Sequence, residues 1–124
     1  MANGGGRILV VEDEESMREL LRLHLSSAGY EVEVAEDAIA AGYAVLESPP
    51  DLIVCDVAMP HMDGFQFVGA LRADQALPRM PVIFLTSMSD DGRARELGPG
   101  DYLAKPVRLE ELLSAVLRHL PPKR

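Results

Sequence analysis

Leu52-Ile53-Val54-Cys55-Asp56 runs apolar without alternation and stops on a carboxylate. A strand that is hydrophobic at every position is covered on both faces, as strands of parallel sheets are. Three more stretches share the design: Ile8-Leu9-Val10-Val11 leads into Glu12 and Asp13, Val82-Ile83-Phe84-Leu85 into Thr86, and Tyr102-Leu103-Ala104 into Lys105. The carboxyl ends of strands in an open parallel sheet share one edge, and ligands bind in the crevice there. Three acids, one hydroxyl and one ammonium are therefore expected at a single rim. That set suits a divalent cation together with a phosphoryl group.

Helical patterns alternate with these strands. Met17, Leu20, Leu21 and His24 recur at helical spacing, Glu14 and Glu15 stand where a helix N-terminus favours negative charge, and Gly29 ends the pattern. Tyr30 to Ala35 alternates as a short second strand. Asp37 is placed to cap a helix carrying Ile39, Tyr43 and Leu46 on one face, which Ser48-Pro49-Pro50 closes. A helix beginning near Gly64 turns Phe67, Val68 and Leu71 inward. The last helix, with Leu109, Leu112, Leu113, Val116, Leu117 and Leu120 in phase, is the best formed. The polar segment from Ser87 to Gly100 leaves room for one or two helical turns around Arg93 to Leu97, a shortened fourth helix. The expected fold is α/β: a three-layer, doubly wound, five-stranded parallel sheet in the flavodoxin-like order 2-1-3-4-5.

Residues 7–120 form one domain in this reading, with 1–6 as a flexible leader and 121–124 as a tail or truncated linker. The length of 124 residues supports a hydrophobic core. A net charge of -8 argues against non-specific nucleic-acid binding and favours a cation at the acidic rim. No apolar stretch approaches the roughly 20 residues of a membrane span. No signal peptide is visible, and the single cysteine, Cys55, suits a reducing compartment, so a cytoplasmic location is expected.

Converging carboxylates repel one another and call for a counter-charge. Hard cations bind through a few carboxylates plus a phosphate, which Glu12, Asp13 and Asp56 fit, with the backbone carbonyl of Ala58 as a further ligand. Glu14 and Asp37 read instead as helix caps. Asp56 differs, because Pro60 and Gly64 postpone the following helix and leave its carboxylate free to act as a nucleophile. Lys105 and the metal would neutralise the transferring phosphoryl oxygens, and Thr86 would donate a hydrogen bond to one of them. Among the remaining groups, Cys55 reads as a small core residue, His24 as a partly buried side chain on a helix face, and His119 as a partner of the helix macrodipole.

Val10-Val11-Glu12-Asp13-Glu14, the run from Asp56 to Gly64 (Asp-Val-Ala-Met-Pro-His-Met-Asp-Gly), Thr86-Ser87 and Lys105-Pro106 together resemble the receiver (CheY-like) domain of bacterial two-component response regulators. The likeness runs from about Arg7 to Leu120. It implies a phosphorylation-activated switch in which Asp56 accepts a phosphoryl group from a histidine kinase or histidine phosphotransfer protein. Glu12, Asp13, Asp56 and the Ala58 carbonyl would hold Mg2+, with Mn2+ as an admissible substitute. Thr86 and Lys105 would bind the phosphoryl group, and Thr86 and Tyr102 would act as the switch pair. Lys105-Pro106 would be a cis peptide. Such a domain catalyses its own phosphorylation and slow dephosphorylation rather than turning over a substrate. It would contact an unidentified target or output domain, and homodimerisation stays open.

Three departures accompany the likeness. Glu12 stands where the family often has aspartate, Val107 replaces an aromatic residue, and the interval from Thr86 to Lys105 is shorter by roughly one helical turn. The last of these keeps an alternative in play, a phosphorylation-independent interaction module that retains only the fold.

Overall fold

Strands buried on both faces need no alternation, and the central strands have none. In the computed structural model, which describes residues 5–87 and 100–120, β1 (Arg7–Val11), β3 (Leu52–Asp56) and β4 (Val82–Thr86) are almost wholly buried. The edge strands are β2 (Glu31–Ala35) and β5 (Gly100–Ala104), and β2 shows the mixed exposure of an edge. All neighbours are parallel and the order is β2-β1-β3-β4-β5, as expected. β2 begins one residue later than the pattern suggested, with Tyr30 buried just ahead of it.

Helices cover both faces. On one side α1 (Glu15–Ser27) and α4 (Leu109–His119) pack Leu21, Leu25, Leu112, Ala115 and Val116 against Ile8, Val10, Val54, Ile83 and Leu85. On the other, α2 (Ala38–Glu47) and α3 (Gly64–Ala73) pack against Leu9, Val11, Ile53, Cys55 and Phe84. The first helix ends as Gly29 implied: Gly29 adopts φ 101°, and the Tyr30 N–H donates to the Leu25 carbonyl. Asp37 caps α2 by accepting from the Ala40 N–H at 2.8 Å. Glu14 occupies the cap position of α1 without a side-chain cap bond, so its role there is backbone geometry and charge.

Orientation within helices departs from what side-chain size suggests. Ile39, Tyr43 and Leu46 do share one face of α2, but that face is 63–73% exposed, and the packed side is Ala38, Ala41 and Val45. Leu20 of α1 is likewise exposed, while Leu25 is buried. The reason is geometric: alanines let α2 lie close on the sheet, and a helix apolar all round turns its smaller side inward when the gap is narrow.

The shortened helix expected around Arg93 to Leu97, together with Met88 and the terminal residues 1–4 and 121–124, falls outside the described residues. Among the described residues no helix is long and apolar enough to cross a membrane.

Candidate functional site

Parallel register sets the site. Val11 pairs with Cys55 across β1 and β3, Asp56 pairs with Leu85 across β3 and β4, and Thr86 pairs with Ala104 across β4 and β5. The residues that follow each strand therefore meet at one edge. Ligand oxygens of Glu12, Asp13 and Asp56 lie within 4.8 Å of one another. The Lys105 ammonium stands 3.0 Å from Asp56 Oδ1 and 3.7 Å from Glu12 Oε1. Thr86 is buried at the end of β4, and its carbonyl accepts from the Lys105 N–H at 2.8 Å. The Lys105–Pro106 peptide is cis. Tyr102 packs 6.0–6.2 Å from Phe65 and Phe84, centroid to centroid, beneath this rim. Ala58 is exposed in the loop two residues past Asp56.

Electrostatics follow from the crowding. Glu12 is buried; burial, reinforced by the Asp56 charge, lifts its carboxyl to about 7, against the pull of the Glu14 N–H bond and of Lys105. Burial lowers the Lys105 ammonium, but its hydrogen bond to Asp56 and the charges of Glu12, Asp56 and Asp13 outweigh that and leave it raised. The Cys55 thiol is pushed far up by burial, consistent with a packing role.

Glu12 carries a pH prediction. Its folded pKa exceeds its unfolded value of 4.5, so the stability it lends the metal-free chain is full below about pH 4.5 and is lost as pH rises through about 7. Thermal melting in a chelator should give a falling Tm across that window, flattened in Glu12→Gln. An unchanged slope in that variant would contradict the assignment.

The residues present fit a divalent cation. Glu12 Oε1 is buried and accepts no hydrogen bond among the described residues, with the Lys105 ammonium 3.7 Å away, so it retains a lone pair for a further ligand. Its other oxygen accepts from the Glu14 N–H at 3.1 Å, which fixes the carboxylate's direction. The donors are all hard oxygens, the class that Mg2+ takes.

One contributor had no sequence signal. Arg18 reaches back from α1 and donates to the Glu12 carbonyl at 3.0 Å, pinning the backbone beside the cluster. Its position six residues after Glu12 matches no recognisable motif. A second had a signal that went unread: Asp63 and Gln66, three residues apart ahead of an apolar run, have the spacing of a capping box, and they form one at the start of α3.

The loop from Asp56 to Gly64 returns tightly on itself. Gly64 donates to the Val57 carbonyl at 2.8 Å, and a Cβ on Gly64 would stand 2.5 Å from the Asp56 carbonyl oxygen and 3.1 Å from Val57 Cα. Both obstacles are backbone. Gly64→Ala should destabilise the chain by about 2–3 kcal/mol, the scale of overpacking, and lower Tm by roughly 10 °C. A Tm within a degree or two of the parent would show that the loop yields freely.

The sequence profile of the response regulator receiver domain matches residues 8–117. The chain belongs to the receiver domain family. Response regulator MprA of Mycobacterium sp. (strain KMS) is 41% identical to this receiver domain over 122 residues, covering 94% of the chain and 52% of that protein. The receiver domain thus spans about half the length of the curated relatives it matches. Chemotaxis protein CheY4 of Vibrio cholerae superposes on it with a TM-score of 0.85 at 34% identity, over 97% of this chain and 99% of that one. The signal receiver domain of a signal transduction histidine kinase from Syntrophus aciditrophicus gives 0.82 at 37% identity, over 91% of this chain and 88% of the other.

Proposed function

We propose that this receiver domain is a phosphorylation-operated switch whose phosphoacceptor is Asp56. The observation that carries the reading is the 3.0 Å approach of the Lys105 ammonium to Asp56 Oδ1 beside a carboxylate cluster with an unsatisfied buried oxygen. A carboxylate oxygen of Asp56 attacks phosphorus, the bond from phosphorus to the donor's imidazole nitrogen breaks, and an acyl phosphate forms. Glu12, Asp13, Asp56 and the Ala58 carbonyl would hold Mg2+, which when bound would supply neutralising charge to the phosphoryl oxygens. Lys105 also counters that charge, and Thr86 donates to a phosphoryl oxygen. Movement of Thr86 toward that oxygen makes room for Tyr102, and the new charge cluster shifts a balance of a few kcal/mol between two conformations.

The donor is a histidine kinase or histidine phosphotransfer protein, the setting is cytoplasmic, and the output is a separate domain or target. The domain acts on itself and makes no direct nucleic-acid contact. Ala58, two residues after Asp56, brings no acid or base to a hydrolysing water, so the acyl phosphate should decay slowly. Incubation with acetyl phosphate and Mg2+ should give a single phosphoryl adduct by intact mass, absent with chelator, that persists for minutes or longer. No adduct would overturn the phosphoacceptor reading, and decay within seconds would overturn the slow hydrolysis.

A further inference from the structure

The outward face of α2 opens onto a groove of about 510 Å³ between α2 and α3. Ile39, Tyr43 and Leu46 form one wall and remain largely exposed, while Phe67 and Leu71 of α3 form the floor. Pro60, His61 and Met62, from the loop that follows Asp56, close one end. Lone exposed apolar residues need no explanation, but a contiguous patch of large ones marks an interaction surface.

The charges at the groove are one-sided. Among the described residues its only acidic or basic lining groups besides His61 are Asp37 and Asp74. Asp37 precedes α2 and Asp74 follows α3. Both helices return from parallel strands and run the same way, so the two acids stand at opposite ends, about 15 Å apart along ten helical residues.

Gly42 adds an independent observation. It sits in the middle of α2, where glycine is destabilising relative to alanine, yet a Cβ there would meet nothing within 4 Å. No internal contact requires the missing side chain. What it leaves is a notch on the groove wall, open to an incoming backbone.

We propose that the α2–α3 groove is the docking site for an amphipathic helix of a partner protein, with a short apolar stripe flanked by Lys or Arg at both ends. The apolar stripe lies along Tyr43 over the Gly42 notch, and the basic ends meet Asp37 and Asp74. A second copy of this chain is disfavoured, because a two-fold contact would set the same acidic ends against each other on molecules of net charge -8. The surface is separate from the carboxylate cluster, and docking needs no phosphoryl group.

The test uses the unphosphorylated chain, isotope-labelled, and two synthetic helical peptides of about three to four turns with identical leucine stripes. One carries lysine pairs at its ends and the other glutamate pairs. The lysine peptide should shift amides within 37–46, 61–62 and 67–77 and bind at least tenfold tighter than the glutamate peptide. Tyr43→Ala should weaken it at least tenfold. So should Gly42→Gln, which fills the notch with a better helix former, so that its loss of binding cannot be ascribed to unfolding. Equal binding of both peptides, shifts confined to another surface, or no binding would overturn the proposal. So would a dimer in sedimentation that Tyr43→Ala dissociates, which would make a second copy the occupant.

Discussion

Asp56→Asn is expected to abolish phosphoryl incorporation from acetyl phosphate, by more than about a thousandfold, the scale on which losing a nucleophile registers. The substitution keeps the size of the side chain in a fully buried strand, so the fold should survive. What it removes is the oxygen that forms the acyl bond, since an amide is a far poorer nucleophile than a carboxylate. Every other element of the site, including the Lys105 ammonium now 3.0 Å from Asp56 Oδ1, would stay in place. The informative measurement is intact-mass labelling alongside a thermal melt. Full labelling of a folded variant would move the acceptor to another residue and end the assignment.

Lys105→Met should slow phosphoryl incorporation about 100- to 1,000-fold, the loss typical when one preorganised electrostatic contact to a developing charge is removed. Methionine retains the stem's packing volume and deletes the ammonium alone. Because that ammonium also lies 3.7 Å from Glu12 Oε1, its removal leaves the carboxylates less neutralised. Mg2+ should consequently bind as tightly as in the parent or more tightly, even as transfer slows. This split separates a role at the phosphoryl group from simple damage to the fold, which would weaken both. Weaker Mg2+ binding with unimpaired transfer would contradict the role given to Lys105. Stability should fall only modestly, because the side chain is 27% exposed and water screens part of the pair.

Local patterns carried far in this chain. Runs such as Leu52 to Asp56 have a strand's length and a buried strand's composition, and each ends at the residue type that defines the rim. Four such runs and the alternating second strand, separated by helical periods, leave few topologies, since parallel crossovers are short and right-handed. The cap at Asp37 and the stop at Gly29 were equally visible, because both act within four residues of themselves. The Asp101 pairing was not. Asp101 in β5 meets His119 at 3.0 Å and Arg118 at 3.1 Å, so the histidine that fits the macrodipole of α4 also has a carboxylate partner 18 residues away.

The order of amino acids alone thus sufficed for the sequence of elements, the parallel sheet and the membership of the rim, because each is encoded in short runs of residue type. Folding in space chose the rest. It turned the alanine side of α2 inward and left Ile39, Tyr43 and Leu46 in solvent, brought Arg18 back onto the Glu12 carbonyl, and set the Lys105 ammonium against Asp56. Those outcomes depend on the gap between elements far apart in the chain, and a gap is a property of the packed assembly that no local pattern contains.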